Sequence, residues 1–387
     1  MHTDPAAKEG ATGPVAVQAD RGGADLVPTL LDGLRGINPA LVLLFGAQGQ
    51  QLAELDAGLR DHLPPGCVIV GCSSAGEIGP QGYASDSVVA IGFPARQFRA
   101  QAMVLTDIPA LPVSDWMAGL RHLHRAFRPD PARNLFGLLL VDGLAGQEDA
   151  LVATLDAALP SLPVIGGSAG DGLDFERTSL LAESRVMSNV AVFIMVETDL
   201  DISEVTFAHF SPTPIRAVVT AAIPEKRRIL ELNAEPAALE YARLTGLNPD
   251  ALTPTEFARH PLLLRMGHRH HVRAISATTE DDGLSLLSAI DIGTVLTLGR
   301  AEDMTQGFND ALDALPRPPL MVLAFDCILR RLALERAGLT DRMSEMYRRY
   351  RIAGFNTYGE QHCGMHVNQT FVGMAFMAPE TGTNDAA

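Results

Sequence analysis

The sequence of 387 residues is poor in cysteine, in aromatic side chains and in positive charge. Its four cysteines, Cys67, Cys72, Cys327 and Cys363, form no CxxC pair. That excludes a disulfide framework and a locally encoded zinc site, and it points to a reducing, cytoplasmic location. Only 30 basic residues stand against 46 acidic ones, a net charge of −16. The concentrated positive surface that nucleic acid demands is therefore not expected. No apolar run approaches the roughly 18 residues of a membrane span, so no membrane insertion is expected. The opening residues, MHTDPAAKEGATGP, lack the basic-then-apolar order of a secretory signal. What is present is an ordinary globular composition, 47% apolar and 20% charged, long enough for two or three domain-sized units.

Residues 1–14 and 378–387 are small and polar, and both ends are expected to fray. Between them strand-length apolar runs alternate with helix-length stretches. Ala40–Phe45, Gln50–His62 and Cys67–Val70 read as strand, helix and strand, followed by β-type runs at Ser87–Phe93 and Arg96–Leu105. The order restarts with Leu135–Val141, Gln147–Leu159 and Pro163–Ile165, then β-type runs at Ser179–Val186, Asn189–Val196 and Ile202–His209. A third round comprises a strand at Leu320–Cys327, one long Arg-rich helix over Ile328–Tyr350, a short strand at Arg351–Gly354 and a β-type run at Val367–Met377. Before it lie a helix at Glu235–Leu247 and β-type runs at His271–Thr278, Leu284–Ile290 and Thr294–Leu298. The fold class is α+β or mixed α/β: two domains of stacked mixed β-sheets flanked by helices, with internal strand–helix–strand repeats.

The loops closing these rounds are alike. The first reads Gly71-Cys-Ser-Ser-Ala-Gly-Glu77 and the third Gly354-Phe-Asn-Thr-Tyr-Gly-Glu360, or G-x-[SN]-[ST]-x-G-E together. The middle one, Gly166-Gly-Ser-Ala-Gly-Asp171, is one residue shorter. Similar loops at matching places mark an internal repeat. Glycine allows close backbone approach, hydroxyls and amides donate hydrogen bonds, and a carboxylate fixes a cation or caps an amide. Ser73, Ser74 and Glu77, then Ser168 and Asp171, then Asn356, Thr357, Tyr358 and Glu360, joined by Asn368, are the candidate ligand-binding residues.

With VIVGCSSAGEIG, PVIGGSAGDG, HFSPTPIRAVVTAA and GFNTYGEQHCGMHVNQTF on the page, the chain resembles the FIST proteins. The resemblance implies a FIST N-terminal domain over 15–223 and a FIST C-terminal domain over 230–377, acting as an intracellular sensory module for small ligands. It is most similar to the haem-binding, nitric-oxide-sensing NosP group, which implies haem b as cofactor and a histidine kinase or cyclic-di-GMP signalling enzyme as partner. Two segments depart from the family pattern: His366 is separated from Asn368 by Val367, and His209-Phe-Ser-Pro212 stands where Gly-Trp-x-Pro is usual.

A haem needs an axial imidazole or thiolate in an apolar pocket. His366 beside the third loop, His209 at a strand end and His260 before Pro-Leu-Leu-Leu are the alternative ligands, with His362, Cys363 and Cys327 behind them. A haem-free alternative binds an amino acid, its carboxylate on Asn356, Thr357 and Ser168 and its ammonium on Glu77 or Glu360. The Gly267-His-Arg-His-His271 cluster lacks further local ligands and reads as a solvated surface, so no metal beyond haem iron is expected. Gly166–Gly170 fits the G-x-S-x-G nucleophile elbow, but turn-like Asp171-Gly-Leu-Asp174 follows where a helix is required. A non-enzymatic sensor is therefore expected, and the arginines of 329–351 offer it a docking face for an acidic partner.

Overall fold

The computed structural model describes residues 13–267, 269–362 and 364–380. The expected frayed ends fall largely outside this range, although Gly13 and Pro14 are buried, the former against Leu320.

One pattern occurs three times, with eight elements in the first two repeats and nine in the third, where two helices stand in place of one. The first repeat is β1 (Val15–Asp20), α1 (Leu26–Leu34), β2 (Pro39–Phe45), α2 (Gly49–Arg60), β3 (Val68–Cys72), the hairpin β4 (Glu77–Gly79) and β5 (Gly82–Ala84), and β6 (Ser87–Pro94). The second is β7 (Phe98–Leu105), α3 (Val113–Phe127), β8 (Asn134–Val141), α4 (Glu148–Ala158), β9 (Val164–Ser168), the hairpin β10 (Leu180–Ala182) and β11 (Arg185–Met187), and β12 (Ala191–Thr198). The third opens with β13 (Asp201–Phe207) and is interrupted by an insert. The insert comprises β14 (Phe210–Ile223), β15 (Arg228–Leu232), β16 (Glu235–Pro236), α5 (Ala237–Thr245), α6 (Pro254–Arg259), β17 (Leu262–Met266), β18 (Arg269–Arg273), β19 (Ile275–Thr278), β20 (Leu284–Leu286) and β21 (Val295–Ala301). The third repeat then resumes with α7 (Gln306–Asp313), β22 (Met321–Cys327), α8 (Ile328–Arg336), α9 (Thr340–Arg349), β23 (Ile352–Thr357), the hairpin β24 (Glu360–His362) and β25 (Met365–Val367), and β26 (Phe371–Met377).

Each repeat builds a six-stranded sheet, but none builds it alone. The sheets run β1-β6-β2-β3-β10-β11, β7-β12-β8-β9-β24-β25 and β13-β26-β22-β23-β4-β5. The last two strands of each sheet are the hairpin of another repeat: the second lends to the first, the third to the second, and the first to the third. The exchange closes into a ring. The sheets therefore cross the 15–223/230–377 partition drawn along the chain, with β4 on β23, β24 on β9 and β13 on β26.

Burial explains why the central strands read as unbroken apolar runs. Leu41, Leu43 and Phe45 of β2, Phe136, Leu138 and Leu140 of β8, and Met321, Leu323 and Phe325 of β22 meet in one shared core. Their alternates face outward onto helices: Val42 and Leu44 meet Leu30, Leu52 and Leu55. Leu139 and Val141 meet Trp116, Leu120 and Leu151, while Val322 and Ala324 meet Phe308, Leu334 and Met343. Parallel strands covered on both faces have no polar positions to spare. Phe376 ties the ring together, its centroid 5.9, 5.5 and 5.7 Å from those of Phe93, Phe98 and Phe136.

Four expectations change. The long helix over 328–350 is two helices, α8 and α9, broken at Gly338, whose positive φ of 67° ends α8 in the left-handed conformation that glycine tolerates. The run at 179–186 is a hairpin, and that at 367–377 divides between β25 and β26, with Gln369 at φ 54° in the turn. The strand ending in His209 stops at Phe207, so His209 lies between strands. Among the described residues no helix is long and apolar enough to cross a membrane.

Candidate functional site

The three loops converge. Ser73, Ser168 and Asn356 occupy equivalent positions at the ends of parallel strands β3, β9 and β23. Their amides donate to the carbonyls of Ser179 (2.9 Å), Gly359 (2.8 Å) and Gly76 (2.7 Å), each the residue before the borrowed hairpin. Further backbone bonds run from Ala75 to Asn356, Tyr358 to Ser168 and Gly170 to Ser73, so every loop is bonded to both others. The side chains are almost wholly withdrawn from water: Ser73, Ser168, Asn356, Thr357, Glu360 and Asn368 are each 0% exposed. The result is a knot whose buried polar groups largely satisfy one another.

The motif residues have structural roles in it. A Cβ on Gly71, Gly166 or Gly354 would stand 2.8, 2.0 or 1.8 Å from the carbonyl oxygen of Leu44, Leu139 or Ala324 on the neighbouring parallel strand. The leading glycine of each loop is thus required by strand approach. Glu77 accepts from Ser74 Oγ (2.6 Å) and from the Ser87 hydroxyl (3.0 Å) and amide. Glu360 repeats the arrangement with Thr357 Oγ1 (2.5 Å) and the Thr370 hydroxyl (2.8 Å) and amide. In the second repeat Leu180 takes the glutamate's place in strand register, and Asp142 replaces it by accepting from Thr178 Oγ1 and the Asn189 amide. Burial raises the Glu77 carboxyl, and pushes that of Glu360 up to about 8 against the lowering pull of the threonine hydroxyls. Both carboxyls brace their own repeats, each accepting three hydrogen bonds.

Tyr358 and Asp171 form a second brace. The phenol donates to Asp171, which also accepts the amides of Phe175, Glu176 and Arg177, while the Phe175 ring stacks on Tyr358 with centroids 4.5 Å apart. Burial opposes ionisation of Asp171, but the Arg177 amide, the phenol and the other amides outweigh it and hold the carboxyl below its ordinary value. Asn368 accepts from Ser288 of the insert (2.8 Å) and donates to the Tyr358 carbonyl. Ser168 ends a strand, is followed by a turn, and accepts the amide of Gln361 at 2.9 Å. No helix follows it, so the nucleophile-elbow geometry is missing.

The alternative haem ligands lie in three separate environments. His366 is buried over Gly359, where an added Cβ would come within 2.1 Å of its Cε1. Burial lowers its pKa, with Arg227 and Arg273 assisting against Glu148 and Asp149, so its surroundings are charged rather than apolar. His209 is pushed down to about 3 by burial and by the nearby Arg330 guanidinium, its ring 4.0 Å from that of Phe210 and its Nδ1 unpartnered among the described residues. His260 caps α6, one third exposed, 3.8 Å from Glu256. Two cavities adjoin the described residues discussed here, and neither is lined by any of these three histidines. As packed, they do not fit a macrocycle. Cys327 is fully buried and Cys363 and His268 lie outside the described residues. No group of three or more metal-ligating side chains occurs among the described residues.

Of the seven arginines over 329–351, Arg330, Arg331 and Arg348 make internal contacts, and Arg336, Arg342, Arg348, Arg349 and Arg351 are exposed. Arg330 is fully buried, its Nε 2.6 Å from Asp326, which also accepts from Tyr347 (2.8 Å) and from Tyr83 of the borrowed hairpin. Arg331 bonds Asn356 Oδ1 and the Ala84 carbonyl, each at 3.0 Å, and Arg348 the Gln81 carbonyl. These side chains clamp β4–β5 onto the third repeat.

Beside the knot lies a cavity of about 300 Å3, between α4 and β9 of the second repeat and β13 and β24–β25 of the third. Val152, Leu155, Leu162 and Val164 form an apolar wall, and Asp156, Glu204, Gln361 and His362 supply polar groups. His362 Nε2 stands 2.5 Å from Glu204 Oε2. Gln361 connects the cavity to the knot: its amide nitrogen reaches Ser168 Oγ and His366 Nδ1, and its Oε1 is buried without a partner among the described residues. Sequence reasoning passed over Asp156, Glu204 and Gln361. The outward Glu204 on a strand and the polar residues at 361–362 after the glutamate were the available signals.

Comparison with known proteins agrees with this architecture. A FIST N domain model matches residues 40–235 and a FIST C domain model residues 237–363. An uncharacterized protein of Methanocaldococcus jannaschii, MJ1623, is 25% identical over 217 residues, covering 54% of this chain. The match spans 42% of that relative, less than half its length. With half of its residues in the first match alone and the second following directly, the chain belongs to the FIST family.

Proposed function

We propose that this protein senses a small molecule of amino-acid size, bearing an amine beside an apolar group, in the cavity next to the knot. FIST domains are small-ligand sensory domains, and the observation supporting this ligand class is the composition of the cavity. At about 300 Å3 it has the volume of a small-metabolite site. Carboxylates of Asp156 and Glu204 would hold the ammonium group, the aliphatic wall the side chain, and Gln361 and His362 a carboxylate or carbonyl. Gln361 lines the cavity while its amide nitrogen holds Ser168. Occupancy would bias the packing of the three loops by the ligand's differential affinity for their arrangements. The output is a change in a partner signalling enzyme; the family resemblance names a histidine kinase or a cyclic-di-GMP enzyme.

The test is a thermal-shift screen of free amino acids and small amines, with calorimetric titration of those that respond. At least one amine with an apolar side chain is expected to raise the midpoint, and Asp156→Asn to remove the effect. Failure of every amine, or a response unchanged in Asp156→Asn, contradicts the proposal. A haem-dependent nitric oxide response is a separate outcome. A Soret band formed with added haemin and lost in His209→Ala would replace this reading.

A further inference from the structure

The insert carries a second recess, independent of the cavity above. Its eight-stranded sheet has one face packed on α5 and α6 through Ala217, Val219, Leu262, Leu296 and Leu298. The other face is identified by register, because directly paired residues share a face. Arg216 and Leu263 pair with Thr297, Val218 pairs with Val295, and Arg265 pairs with His270. One end of this face is covered, with Leu263 against Val272, Ala274 and Leu329. The other end is open and forms a groove of about 640 Å3.

Three properties of this open end coincide. Arg216 and Arg265 are exposed, and among the described residues neither has a carboxylate within ion-pair distance. Arg265 only donates to the Gly267 carbonyl. Among the described residues no acidic side chain lines the groove, although the chain holds 46 of them. On the same face stand two exposed aliphatic side chains paired in register, Val218 at 38% and Val295 at 50%. Arginine beside aliphatic surface, with acids excluded, is the composition of an interface rather than of ordinary surface.

We propose that this half-face is a docking surface for an acidic, aliphatic-rich segment of a partner protein. Charge selects the occupant. A second copy docking isologously would set Arg216 and Arg265 against their own counterparts, which is repulsive. An anionic membrane is engaged by clusters of four to eight basic residues on a convex surface, whereas this groove is concave and offers two arginines with His270. An acidic segment meets both guanidiniums and lays its aliphatic side chains on Val218 and Val295.

The test uses a fluorescein-labelled peptide of alternating glutamate and leucine, with the glutamine–leucine peptide as control, read by anisotropy on the full chain. The acidic peptide is expected to bind, to weaken as salt rises, and to weaken at least about tenfold with R216E/R265E. That variant should keep its unfolding midpoint, because both side chains are exposed and unpaired. Equal binding of the two peptides, no binding, or binding unchanged in the variant overturns the proposal. So does sedimentation showing self-association that the variant abolishes, or capture by phosphatidylserine vesicles without peptide binding.

Discussion

The knot and the cavity lie side by side and share Gln361, yet their chemistry differs. In the knot the serines, threonines, asparagines and glutamates bond to one another and to backbone, and water is excluded. In the cavity Asp156, Glu204 and His362 face a space with an apolar wall. Polar residues in a repeated motif can therefore hold a fold together, while the cavity opens where two repeats meet. The cavity lies where the second repeat's sheet receives the third repeat's hairpin, whose Gln361 and His362 line it.

This contrast predicts that substitutions in the ring and knot cost stability, while those in the cavity cost binding. The largest effect is expected at the centre of the ring. Phe376→Ala should lose about 3–5 kcal/mol in denaturant unfolding, because its ring contacts both other repeats. A loss under 1 kcal/mol would mean the three sheets do not share one core.

Next comes Gly354→Ala, whose Cβ would stand 1.8 Å from the Ala324 carbonyl oxygen. Overpacking against backbone is expected to cost about 3 kcal/mol, measured in the same way. Gly172→Ala is a poor control because its φ is positive, so Gly22→Ala, whose added Cβ would meet nothing nearer than 3.9 Å, shows the assay's baseline.

A pH dependence sharpens the comparison further. The folded carboxyl of Glu360 titrates near 8, above its unfolded value of about 4.3. The stability it contributes is complete below the unfolded value and is lost as pH rises through about 8. Denaturation midpoints should therefore fall across that window, and Glu360→Gln should flatten the fall. An unchanged slope in the variant would assign the dependence elsewhere. The smallest stability effect is expected at Asp156→Asn, within about 0.5 kcal/mol of the parent, since this helix residue lines open space. A larger loss would make Asp156 part of the scaffold.

Much of the architecture was legible. Alternation of apolar runs with amphipathic stretches located β2–α2–β3, β8–α4–β9 and the start of the third round, and the glycine loops revealed the repeat. The outer elements were missed although α3 carries a helical stripe of Trp116, Leu120, Leu123 and Phe127. The hairpin exchange was not legible, because pairing of β24 with β9 joins residues almost two hundred positions apart and leaves no local pattern. At the site, the motif residues were legible but their bracing contacts were not. Glycine and hydroxyl are used equally for ligands and for close strand packing, and only the facing carbonyls of Leu44, Leu139 and Ala324 distinguish the two uses. The burial of Arg330 was not legible either, because periodicity cannot tell that Asp326, one turn before it, draws that guanidinium inside.

The division of labour between knot and cavity is tested most directly by methyl NMR on the protein titrated with the amine selected in the screen. The methyl resonances of Val152, Leu155, Leu162 and Val164 should shift together and saturate at the calorimetric affinity, with smaller changes at Val367 behind the knot. Shifts confined to residues packed on the loops, with the four cavity methyls unmoved, would contradict the account.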